Sequence, residues 1–375
     1  MNYTPQNMTR IEELTAESIA LLKDMIAIPS LSFEEDAVCA HICKWMESKG
    51  VSYERVGNNI ICRNNPGSSS RLLLCAHIDT VKASEDYSFD PYTPDYKTAA
   101  EVISRITGRS LKEEDVVAGL GSNDDGASVA SMIAAYRYIS EQENAKDMIL
   151  VLTCEEERSG KGGMTTLWND LRDEVKHAIV GEPTGMKAAT SERGLLVIDA
   201  EAEGVSGHAA RNEGVNAIYI ALEDIAKIKS HKFDKISPYM GEVNVNVTQI
   251  NAGTAHNVIP DRCTFVIDIR PTEQYTNEEI LNELQAICRS RLVPRNLSNR
   301  SSASKEDSAL QKIAQTLGIE TFSSPTTSDW MRISCDAVKM GPGESPRSHK
   351  KDEYVLTEEI RKGINTYIEF IENLN

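Results

Sequence analysis

Three short clusters of acidic and histidine side chains follow one another along this chain: His77-Ile78-Asp79, Asn123-Asp124-Asp125-Gly126 and Glu155-Glu156-Glu157, with a lone Glu182 and a lone His349 after them. Carboxylate oxygen and imidazole nitrogen hold divalent cations, and this set has one carboxylate more than a simple site needs. The surplus fits two divalent metals bridged by a carboxylate, with a glutamate left over to move protons. His77 can ligate a metal while Asp79, two residues on, hydrogen-bonds its other ring nitrogen and fixes the tautomer. Asp124 can bridge two cations from a loop. Adjacent Glu156 and Glu157 project in different directions, so one can bind metal while the other faces the attacking water. A divalent metal acidifies water, and a free glutamate can take that proton and pass it to a leaving nitrogen. The combination fits hydrolysis of an amide.

Such residues need a frame. The apolar runs 72–76 and 148–153 read as strands buried on both faces, and a third strand ends at Val180. Helices are expected over 10–28, over 127–141 and after Ser32-Phe33-Glu34-Glu35, which reads as a capping box. This is an α/β core, a mixed and mostly parallel sheet flanked by helices. His77 and Asp79, the glutamate triplet, Glu182 and His349 all follow its strands, at the carboxyl edge where such sheets bind ligands. From about residue 190 the strands become half-polar, as in Val243, Val245 and Val247, and Thr276 with Glu279 caps another helix. That stretch predicts an inserted open-faced α+β domain of ferredoxin-like form. The expected division is residues 1–189 plus 294–375 for the core domain and 190–293 for the inserted one. Residues 81–118 form a long polar insertion with a short helix around 98–106, and no function is assigned to it.

Composition sets limits. The chain has 375 residues, enough for two domains, and its net charge of −17 argues against nucleic acid and anionic membranes as partners. No apolar run is long enough to span a bilayer, and Met1-Asn2-Tyr3-Thr4-Pro5 lacks the start of a signal peptide. Eight scattered cysteines in apolar segments read as reduced thiols of a cytoplasmic protein.

The ordered series of motifs resembles the M20 family of co-catalytic metallo-amidohydrolases, which includes acetylornithine deacetylase, succinyl-diaminopimelate desuccinylase, aminoacylase and carboxypeptidase G. Its elements are Ala76-His77-Ile78-Asp79-Thr80-Val81, Gly119-Leu120-Gly121-Ser122-Asn123-Asp124, Thr153-Cys154-Glu155-Glu156-Glu157, Gly181-Glu182-Pro183-Thr184, Gly207-His208-Ala209-Ala210-Arg211, Asn257-Val258-Ile259-Pro260-Asp261 and Gly341-Pro342-Gly343 with His349 and Glu353 beyond. The resemblance implies His77 and Glu182 on one metal, Glu157 and His349 on the other, Asp124 bridging both, and Glu156 as general base. It also implies a cis peptide after Asp124. The inserted domain would be the lid and dimerisation domain of a homodimer. Its His208 would polarise the scissile carbonyl in the partner subunit, and Asn257 and Arg270 would bind substrate. The chain departs from the family where Asp124 is followed by Asp125-Gly126-Ala127, which makes Asp125 a competing bridge. It departs again at Glu155, where the family carries Asp. Asp329 falls where relatives carry a substrate-side aspartate.

Arg193, Arg270 and Arg347 are candidates to grip carboxylates. The resemblance leans toward the acetylornithine deacetylase and lysine-deacylase branch of arginine and lysine biosynthesis. It implies removal of an acetyl or succinyl group from an amino acid such as ornithine, citrulline or lysine. Zinc is the expected metal, with cobalt or manganese admitted by the same ligands. A di- or tripeptidase or carboxypeptidase of the same family is the alternative, and a non-catalytic binding protein on the same fold a further one.

Overall fold

Arg71–His77 and Met148–Thr153 are strands in which every residue is buried, so both faces of the sheet they form need helical cover. The computed structural model describes residues 5–65, 68, 71–211 and 213–374. The first four residues, read above for a targeting segment, lie outside the described ones. In order come α1 (Pro5–Ile26), α2 (Asp36–Ser48), β1 (Glu54–Val56), β2 (Asn59–Arg63), β3 (Arg71–His77), α3 (Tyr96–Thr107), β4 (Val116–Ala118), α4 (Gly126–Ser140), β5 (Met148–Thr153), α5 (Met164–Leu171), β6 (Val175–Val180) and β7 (Ala188–Glu192). The chain divides into two compact units, one of Met1–Thr190, Ser304–Phe322 and Ser328–Asn375, the other of Ser191–Ala303 and Ser323–Thr327.

In the first unit β3 lies between β5 and β6 and runs parallel to both, and Asp336–Lys339 runs parallel to β6. The edges are antiparallel: β2 on β5, β1 on β2, and β7 on Asp336–Lys339. Alternate side chains of β3 serve two layers. Leu72, Leu74 and Ala76 pack with α1, α4 and the helix Thr357–Glu372, while Leu73 and Cys75 pack with α5 and Trp330. Each leucine among them contributes about 1.5–3 kcal/mol by leaving water. Helix α4 is buried along nearly its whole length, which explains its small residues. At its start, a Cβ on Gly126 would meet the Gly121 carbonyl oxygen at 2.5 Å, so only glycine lets the loop before it fold back this closely.

The capping box expected at Ser32 does not form. Helix α2 begins at Asp36 with no side-chain cap. Ser32 donates to Asp79 instead, and the Glu35 carboxylate accepts from the Phe33 and Glu155 N–H groups. Buried acceptors across the chain outcompete the local helix end.

The second unit is a four-stranded antiparallel sheet in the order Asn244–Ala252, Arg262–Arg270, Leu196–Glu203, Arg291–Pro294. Its apolar face packs on the helices Ala217–Ser230 and Asn277–Ile287. Thr276 and Glu279 do form the expected capping box. The unit runs past residue 293, to Ala303. The Asn277 side chain donates to the carbonyls of Leu297 and Asn299, and the Leu195 N–H to that of Asn299, stitching the polar loop to this sheet.

Candidate metal centre

The five expected donors converge at one edge of the first unit's sheet. His77 is the last residue of β3, Glu157 lies four residues past β5, Glu182 two past β6, Asp124 just before α4, and His349 beyond Asp336–Lys339. Two triads result, His77–Asp124–Glu182 and Asp124–Glu157–His349, and within each the donor atoms lie within 4.8 Å of one another. That spacing fits donors around one ion. Asp124 is common to both triads. The peptide between Asp124 and Asp125 is cis. Asp125 turns inward, where its carboxylate approaches the His77 N–H at 3.4 Å, and burial pushes it up to about 8.

Hydrogen bonds aim these groups. His77 Nδ1 lies 2.9 Å from the Asp79 carbonyl oxygen. A carbonyl only accepts, so Nδ1 carries the proton and Nε2, 3.2 Å from Asp124, is left as the donor atom for a metal. The Asp79 carboxylate also pairs with Nδ1, at 3.5 Å, and it accepts from the Glu156 N–H (3.0 Å), the Glu157 N–H (3.1 Å) and the Ser32 hydroxyl (2.6 Å). Asp79 thus orients the histidine through its main chain and its side chain, and its carboxylate also holds the glutamate turn. Glu155 is outside the site, in the left-handed region at φ 62°, with its carboxylate accepting from the Gly162 N–H. On the opposite side the buried Glu353 accepts N–H bonds from Gly121 (3.1 Å), Asn123 (2.9 Å) and Asp124 (2.9 Å). Burial and the Asp124 charge raise Glu353 to about 8. The sequence analysis left Glu353 without a role, although it closes the last motif.

The charge balance tests the fit to a metal. Burial, with repulsion from neighbouring carboxylates, raises Glu156 and Glu182 well above the ordinary range. His349 Nε2 lies 2.9 Å from Glu157 and 3.7 Å from Asp124. The site therefore holds more carboxylates than the two histidines neutralise, and oxygen with imidazole is a donor set for zinc, cobalt or manganese. The residues fit two divalent cations. Asp329 is buried nearby, accepting from the Thr153 hydroxyl at 2.7 Å, and burial raises it to about 6.

Comparison with known proteins bears on the same residues. A family model described as a peptidase dimerisation domain (M20) matches residues 190–296, and one for peptidase family M28 matches 59–188. An acetylornithine deacetylase of Proteus mirabilis is 27% identical over 373 residues, 90% of this chain and 91% of that one. On these matches the chain is similar to the M20 peptidase family over nearly its whole length. Its fold is shared with aminopeptidase PepT of Bacillus cereus (TM-score 0.71, 18% identity, 97% and 98% of the two chains). It is shared too with YXEP of Bacillus subtilis, a dinuclear metal-binding M20 peptidase (0.70, 15%, 96% and 98%). M20 enzymes are dinuclear and metal-dependent, in keeping with the paired triads.

The remaining expected site residues lie in the second unit, apart from Arg347. His208 is exposed on a two-stranded ribbon, paired in register with Val258, and its Nδ1 accepts from the Ala210 N–H at 3.2 Å. Asn257 is exposed, and its carbonyl accepts from the Ala209 N–H. The three arginines are engaged internally. Arg270 is gripped by Asp268 at 2.8 and 3.0 Å, and Arg193 donates to the carbonyls of Glu242, Arg270 and Met240. Arg347, in the first unit, pairs with both oxygens of Glu359. Carboxylate recognition by any of them would require those bonds to be exchanged.

Proposed function

We propose that this chain is a metal-dependent amide hydrolase that removes an acetyl or succinyl group from an α-amino acid such as ornithine, citrulline or lysine. The observation that carries it is the pair of donor triads sharing Asp124, with Glu156 fixed beside them and outside both. The likeness to an acetylornithine deacetylase over nine-tenths of both chains supports the deacylase branch and a place in arginine or lysine biosynthesis.

His77, Glu182, Glu157 and His349 would hold two cations, zinc in the first instance or else cobalt or manganese, with Asp124 between them. When bound, the cations supply Lewis acidity, polarising a carbonyl oxygen and lowering the pKa of water. Glu156 takes the proton of the attacking water and returns it to the leaving nitrogen. Asp79 keeps Glu156 and Glu157 at their stations through two N–H bonds. His208, whose Nδ1 accepts, carries its proton on Nε2 and would donate it to the scissile carbonyl in the partner subunit of a homodimer. Asn257, Arg193, Arg270 and Asp329 are assigned to substrate binding on the family resemblance. Dimerisation through the second unit is supported by its family match and by its edge strand Asn244–Ala252, whose side chains are mostly exposed. All eight cysteines are free thiols, which supports a cytoplasmic setting.

A peptidase reading shares this machinery and differs in the substrate's free amino terminus. The test is turnover of N-acetyl and N-succinyl ornithine, citrulline and lysine, alongside unacylated di- and tripeptides, with zinc or cobalt added. Cleavage of free peptides alone would replace the deacylase by a peptidase. No hydrolysis of any amide would leave a binding protein.

A further inference from the structure

Segment 81–118 takes no part in the function proposed above, yet it grips the loop that carries His349. Each of the three residues between His349 and Glu353 has a partner on residues 86–88. The Tyr87 hydroxyl donates to the Lys350 carbonyl at 3.2 Å, and Lys351 pairs with Asp86 at 3.1 Å. The Asp352 carboxylate accepts from the Ser88 N–H at 2.6 Å and from its hydroxyl at 2.8 Å. These contacts differ in weight. The Lys351–Asp86 pair is solvent-exposed and adds little. Asp352 is 5% exposed although Ser88 itself is exposed, so its two bonds are partly shielded from water and count for more than the open pair.

The loop needs such a hold. His349 and Asp352 both sit at φ 58°, a region that residues other than glycine keep only where their surroundings over-determine it. The His349 side chain is 54% exposed, so packing does not place it. The two ends of the loop are His349, against Glu157, and Glu353, which holds the Asp124 amide. The grip is itself seated. Tyr87 meets Phe89 edge-on at 5.7 Å, and Phe89 is buried with Val102 and Ile103 of α3 and with Tyr354 and Leu356 just beyond the loop.

We propose that Ser88 and Asp352 are positioning residues for the second metal position: they hold the His349 loop so that His349 closes the triad with Asp124 and Glu157, and they set that triad's affinity for a divalent cation without touching it. The inference rests on the two-metal reading above. The test is calorimetric titration of chelator-stripped protein with zinc, for the wild type and for D352A, S88A, D352N and S88T, with melting temperatures of the metal-free forms. The wild type should bind two ions. In D352A one dissociation constant should rise about 10- to 100-fold while the other stays. S88A, which keeps its N–H, should lose less. S88T keeps the hydroxyl, and D352N keeps one acceptor and tolerates positive φ, so both should recover most of the affinity. Two wild-type-like constants in D352A would overturn the inference while leaving the two-metal reading intact. So would an equal rise in both constants with a lowered metal-free melting temperature, which would mark general loosening. A wild type that fails to bind two ions would sink the two-metal reading itself.

Discussion

Glu156 and Glu157 are neighbours with opposite assignments, and the difference lies in what each meets. Glu157 faces His349 Nε2 at 2.9 Å, whereas Glu156 is tied through its backbone N–H to Asp79 and belongs to neither donor triad. Glutamine is nearly the same shape as glutamate but cannot take a proton. E156Q should therefore lower kcat about 100- to 10,000-fold while metal content, measured by elemental analysis, stays at the wild-type level. Loss of metal or survival of activity would reverse the assignment. Asp79 gives a second expectation. Its two oxygens accept one N–H each from the glutamate turn, and asparagine would present an NH2 to one of them. D79N should weaken zinc binding about 10- to 100-fold in a chelator competition, and unchanged affinity would show that the turn holds without it.

At the level of elements, the site was legible in the sequence because His77 and Glu182 follow directly on short, continuously apolar runs that read as buried strands. His77 after 72–76 and Glu182 after Val180 could be placed at a sheet edge with no knowledge of strand order. What could not be read were partners supplied by distant chain. Arg193 is taken up by carbonyls some fifty residues or more away. Ser32 and Glu35 looked like a local cap until Asp79 and the Glu155 N–H claimed them. The second unit overran its expected end because the loop 295–301 has no periodicity and is secured by distant partners, Asn277, Leu195 and Pro271 among them. Asp224 shows the same kind of long-range capping. Burial alone would raise its pKa, but bonds from the Ser290 N–H and hydroxyl and the Arg289 N–H outweigh that and lower it. A depressed carboxylate contributes stability that is complete above its unfolded value of about 3.9 and is lost as pH falls through the lower folded value. D224N should thus cost about 1–3 kcal/mol near neutrality, and the gap in melting temperature from wild type should narrow below about pH 4. A gap independent of pH would mean that the charge itself contributes nothing.

At the scale of the molecule, every candidate metal donor among the described residues belongs to the first unit. Ligand binding stabilises only what it binds, by about 2.7 kcal/mol at a hundredfold excess over Kd. In scanning calorimetry, zinc should raise the transition of the first unit and leave that of the second in place, and chelation should undo the rise. Equal shifts in both would mean that the two units melt as one. Among the described residues no helix is long and apolar enough to cross a membrane. The order of the donors along the chain also has a temporal meaning. Synthesis runs at about 5–20 residues per second, and Glu182 is followed by the whole of the second unit before His349 is made. A ribosome thus delivers one complete triad early and withholds the last ligand of the other until the second unit has been made. A chain cut between residues 182 and 349 carries the donors of one triad but not of the other, so the capacity to hold two ions doubles as a check that translation passed through the whole second unit.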